Sequence, residues 1–62
     1  MNVRRNSKHR VINSLDAAKD ELREAERAVK RNQFEKAEKE VADSLRFISR
    51  ALRRINKIEK GS

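Results

Sequence analysis

"AVKRNQFEKA", residues 28–37, decides how the chain is read. Apolar residues recur at helical spacing on both sides of this stretch, and inside it they stop for four positions, Lys30 to Gln33. The chain has no Pro, and its only Gly is Gly61. No other segment offers a helix an obvious place to end. The polar patch therefore predicts a turn between two long helices. Asn32 is the expected N-cap of the second helix, with Glu35 three residues later as in a capping box: the Asn32 side chain accepts from an early amide and Glu35 reaches back.

Before the turn, Val11, Leu15, Ala18, Leu22, Ala25 and Val29 follow one another at spacings 4-3-4-3-4. At helical pitch they fall within an arc of about 80°. Leu alternates with Ala along this seam, which lets a neighbouring helix approach closely. After the turn, Phe34, Ala37, Val41, Leu45, Ile48, Leu52 and Ile55 continue the pattern, and Phe47, Ala51 and Ile58 widen it. That arc is about 160°, with Leu52 near its centre, and is broader than a two-stranded seam requires. The second helix is expected to touch at least two others. The fold expected is all-α, an antiparallel two-helix hairpin that dimerises into a four-helix bundle. Ile12, Phe47, Ile48, Ala51, Ile55 and Ile58 are the expected dimer or partner interface. The expected limits are a frayed basic arm at residues 1–6, a helix at 7–31, a turn at 32–33 and a helix at 34–60, closed by Gly61 as its C′ residue.

Length supports the same picture. A chain of 62 residues holds a single domain, and a monomer of this size buries little surface unless disulfides, a metal or a partner subunit help. There is no Cys, and His9 is the only imidazole. Disulfides are excluded, and no metal or other cofactor is expected. Oligomerisation remains.

The stretch "NQFEKAEKEVADSLRFI", residues 32–48, looks like the opening of the second helix in many helical hairpins, tetratricopeptide-type repeats included. In shape and length the whole chain resembles the Rop-type plasmid regulators, short hairpins with an Ala/Leu layered seam. That resemblance implies a dimer of hairpins, and it transfers no functional residues.

Charge is the other signal. The formal net charge is +7, with 44% charged residues. Residues 1–15 contribute +4 through Arg4, Arg5, Lys8 and Arg10. Residues 44–62 contribute +5, from Arg46, Arg50, Arg53, Arg54, Lys57 and Lys60 against Glu59. The middle, residues 16–43, sums to −2. A hairpin brings both chain ends together, so its open end collects +9. Basic residues late in a helix suit the macrodipole, but those at the start of the first helix oppose it. An external anion accounts for both sets. Those ten residues are the expected nucleic-acid-binding set, acting on the phosphate backbone. Seven of the ten are Arg, whose guanidinium grips phosphate with two parallel hydrogen bonds. There is no Trp or Tyr, so binding of single strands by stacking on aromatics is not expected.

The function expected is a small homodimeric regulator that binds RNA or duplex DNA. The alternative is a protein-interaction module, an inhibitor or adaptor whose second helix docks through its apolar face, with the basic pole steering it to an acidic protein. Binding to a membrane surface ranks last. No enzyme is expected: no Cys nucleophile, glycine loop or enclosed pair of carboxylates is present, and Asp16, Asp20 and Glu24 stand among Lys19, Arg23 and Arg27 as intrahelical ion pairs. No apolar run approaches a membrane span of about 20 residues, and "MNVRRNSKHR" lacks the apolar core of a signal peptide. A cytoplasmic location is the expectation.

Overall fold

A computed structural model of the chain describes the backbone of residues 3–61 and the side chains of residues 7–61. Two helices, α1 (Val3–Lys30) and α2 (Phe34–Gly61), pack against each other as an antiparallel hairpin. The Cα extents are 47 × 16 × 10 Å, a single layer of two helices side by side.

The turn sits where the polar patch placed it, but its chemistry differs. Asn32 has φ 61°, in the left-handed region. Its N–H donates to the Val29 carbonyl at 3.0 Å, and the Gln33 N–H donates to the Ala28 carbonyl at 2.8 Å. Those two bonds form a Schellman motif that closes α1, with Asn32 as C′. The Ala37 N–H then donates to the Gln33 carbonyl at 3.0 Å, which makes Gln33 the N-cap of α2. The expected Asn32–Glu35 capping box is displaced: Asn32 ends the first helix instead of starting the second. Asn serves here because its short polar side chain tolerates the left-handed region better than other L-residues do. Asn32→Gly should therefore match or slightly exceed the wild type in thermal midpoint. Asn32→Val should cost about 1–2 kcal/mol. Equal midpoints for the two variants would contradict this geometry.

Two other limits shift. The helical backbone begins at Val3, so residues 3–6 join α1 and no arm spans 1–6. Gly61 is the last residue of α2 and has no positive φ. It does not act as a left-handed cap.

The packing seam is narrower and smaller than the sequence pattern led one to expect. Val11, Ala18, Ala25 and Ala28 on α1 and Ala37, Ser44 and Ala51 on α2 are the buried residues. The rows 11–18–25 and 37–44–51 repeat every seven residues, as in a coiled coil. Small side chains in both rows let the helices approach toward the low end of the usual range of about 8–10 Å. Ser44, at 1% exposure, fits this row because its hydroxyl donates to the Val41 carbonyl at 2.7 Å and so needs no partner across the seam.

On each helix two further rows flank the seam. On one side run Leu15, Leu22 and Val29 of α1 with Val41, Ile48 and Ile55 of α2. On the other run Ser14, Glu21 and Ala28 with Glu40, Phe47 and Arg54. In an antiparallel pair these rows give the hairpin two unlike faces, one aliphatic and one polar.

Candidate interaction surfaces

The aliphatic face is open. Ile12, Leu15, Leu22, Val29, Phe34, Val41, Leu45, Ile48, Leu52 and Ile55 are between 38% and 65% exposed. Toward the turn, Val29, Phe34, Ala37, Val41, Ala42 and Leu45 line a shallow apolar concavity. Leu15, Leu22 and Val29 do not fill the hairpin seam, because the small residues beside them have already brought the helices together. Leu52, at the centre of the apolar arc, is the most exposed of the ten at 65%.

Three of the expected interface residues, Ile12, Ile48 and Ile55, lie on this open face. The other three do not. Ala51 is 2% exposed inside the hairpin seam, where its neighbours leave no access for a second molecule. Phe47 is half-buried in the polar-side row, with the Arg50 guanidinium 5.7 Å from its ring centroid. Ile58 is half-buried and continues the seam row of Ala37, Ser44 and Ala51.

The cations expected to bind phosphate lie at the open end. Lys8, Arg10, Arg46, Arg50, Arg53, Lys57 and Lys60 are exposed, and Arg54 is half-buried. Arg50, Arg53, Arg54 and Lys57 surround one shallow depression with no acidic residue in its lining. Arg4 and Arg5 fall within the first turn of α1, which contains no acid; their side chains lie outside the described residues. Four cations around one hollow repel one another unless an anion sits among them. Arg50 and Arg54 also have packing roles, the first over Phe47 and the second beside the seam. Arg53 and Lys57 project freely.

A third cluster escaped the sequence reading. The carboxylates of Glu21, Glu40 and Asp43 lie within 4.8 Å of one another on the polar face. A hydrogen bond with Glu40 is the main reason that the Glu21 carboxyl is pushed up to about 7; partial burial and the negative charges of Glu40, Asp43 and Glu24 add to it. The signal was available in the seven-residue rows 14–21–28 and 40–47–54, which put Glu21 and Glu40 beside the seam from opposite helices. Elsewhere on α1, Glu24 and Arg27 form an exposed ion pair at 3.1 Å, the i,i+3 pairing expected of that face.

The raised Glu21 value has a definite sign. An ordinary glutamate near 4.5 is the unfolded reference, so between that value and about 7 the folded state binds more protons. The resulting stabilisation is complete below about pH 4.5 and disappears as pH rises through about 7. The thermal midpoint should therefore rise as pH falls from 7.5 to 5.5. Glu21→Gln should raise the midpoint at pH 7.5 and flatten that slope. Identical slopes in both proteins would show that the Glu21–Glu40 contact does not hold a proton.

Among the described residues no helix is long and apolar enough to cross a membrane. Comparison of the chain with protein-family models, with curated proteins and with solved structures finds no match.

Proposed function

We propose that the protein is a homodimeric four-helix regulator that binds the phosphate backbone of RNA or duplex DNA through its basic open end. The observation that carries the binding is the depression lined by Arg50, Arg53, Arg54 and Lys57, four cations on one turn-and-a-half of α2, at an end whose two chain segments sum to +9. The arrangement supports backbone contact, because guanidinium and ammonium groups meet phosphate without reading bases.

The dimer rests on surface area. A compact monomer of 7.3 kDa exposes about 4,200 Å², whereas this hairpin exposes 5409 Å². The excess, about 1,200 Å², is of the order that one partner contributes to a standard interface. It coincides with a face of ten large apolar side chains, more than a lone soluble hairpin ordinarily leaves open. A second hairpin offers the same face in return, as two-fold symmetry requires.

Titration of the protein against duplex RNA and duplex DNA at several salt concentrations tests the binding. Affinity should fall steeply with salt, linearly on a log–log plot. No binding at low salt, or binding indifferent to salt, would contradict the proposal. The apolar concavity beside Val29, Phe34, Val41 and Leu45 favours one other reading, in which a helix from a different protein occupies the face. A stable monomer in solution would favour that reading.

A further inference from the structure

Resting on the dimer proposed above, we infer that the two hairpins pair antiparallel, each turn lying over its partner's open end, so that the assembly carries one basic pole at either end. Two hairpins can close their aliphatic faces in two symmetric ways. A two-fold axis along the helices puts both turns at one end. A two-fold axis across the helices, in the plane between the layers, puts them at opposite ends. Both arrangements bury the same aliphatic face and leave every neighbouring pair of helices antiparallel, so apolar burial does not choose between them.

The rim of that face does not choose either. It carries Lys8 and Lys19 together with Glu26, Glu38 and Glu59, and each arrangement sets some of these against like charge and some against opposite charge. The poles do choose. Each hairpin has +9 at its open end and −2 across residues 16–43, which include the turn. The parallel arrangement doubles the cationic pole at one end and sets two acidic-leaning halves together at the other. The antiparallel arrangement places each pole against the partner's turn half, where Glu35, Glu38, Glu40 and Asp43 lie. At physiological salt the screening length is about 8 Å. Cations of two adjoining poles, one helix diameter apart, would still repel across that distance. The same cations placed at opposite ends, about 40 Å apart for helices of 28 residues, would not.

The consequence is bivalency. A phosphate backbone running along the bundle meets a basic pole at both ends, and a duplex must extend about 12 base pairs to reach from one to the other, at about 3.4 Å per pair along each strand. Binding at the second pole then gains from the effective concentration set by the first.

Two exposed positions on one row of α2, Glu35 and Asn56, allow a direct test. Single-cysteine variants Glu35→Cys and Asn56→Cys carry spectroscopically distinct spin labels, and the distances between protomers are measured at 35/35 and, in mixed dimers, at 35/56. The antiparallel dimer makes the 35/35 distance the longer, by about 30 Å along the axis, from 21 residues at 1.5 Å each. The reverse order would overturn the antiparallel pairing and leave the dimer standing. Two populations of comparable size would overturn it as well, because the poles would then not select. No distance between protomers, together with sedimentation as a monomer, would overturn the dimer itself.

Discussion

Leu45→Lys combined with Leu52→Lys should turn a folded, associated protein into a largely unfolded chain at micromolar concentration. In the isolated hairpin these leucines are 59% and 65% exposed. If that hairpin were the complete molecule, two changes at exposed positions would each shift stability by about 0.5 kcal/mol or less. In the four-helix bundle both lie at the centre of the closed face. Each substitution then forfeits about 1.5–3 kcal/mol of leucine burial and sets an unpaired ammonium against apolar surface. Symmetry applies the loss twice. A domain of this size rarely has more than about 3–5 kcal/mol to lose. Leu52→Ala, the gentler form, should cost about 2–5 kcal/mol. Circular dichroism melts at several concentrations read the result. A double variant with unchanged helicity and midpoint would show that nothing closes the aliphatic face.

The second large effect belongs to the basic pole. Arg53→Glu with Lys57→Glu should leave helicity intact and move the melting midpoint little, since both side chains are exposed. Binding to duplex RNA or DNA near 0.1 M salt should fall about fifty-fold or more, and the log–log salt slope should become shallower by about two for each pole. These positions are better probes than Arg50 and Arg54. The Arg50 guanidinium covers the Phe47 ring at 5.7 Å, a contact worth about 0.5–1 kcal/mol, and Arg54 is half-buried against the seam. Reversing those two would mix a packing loss with a binding loss. Undiminished binding by the Arg53/Lys57 variant would make the pole an ordinary solvated surface.

The two effects separate because the hairpin separates its surfaces, and much of that separation was legible in the sequence. Two helices and the turn between them followed from apolar periodicity interrupted at Lys30 to Gln33. The gathering of Arg and Lys at the open end followed from connectivity alone. The assignment of seam residues did not. Leu15, Ala18 and Leu22 fall in one arc, and an arc does not say which of its members meets the intramolecular neighbour. The structure selects Ala18 for the seam, because small residues permit the closest approach, and leaves Leu15 and Leu22 outside it. Phe47 illustrates the same limit: its angle lies near the apolar arc, yet its row borders the polar face and Arg50 covers it. Asn32 was placed on the wrong side of the turn because a residue that suits an N-cap also suits a left-handed C′ position, and only the backbone bonds of residues 28–33 distinguish the two. Glu21 and Glu40 passed unnoticed because their proximity is a cross-helix relation, set by the register that the Ala rows impose.

Sedimentation equilibrium of the unmodified chain, over a hundredfold range of concentration with helicity followed in parallel, tests the central claim most directly. The account predicts a species of twice 7.3 kDa, with helix content lost as dilution dissociates it. A fully helical, heat-stable particle of 7.3 kDa at every concentration would contradict it.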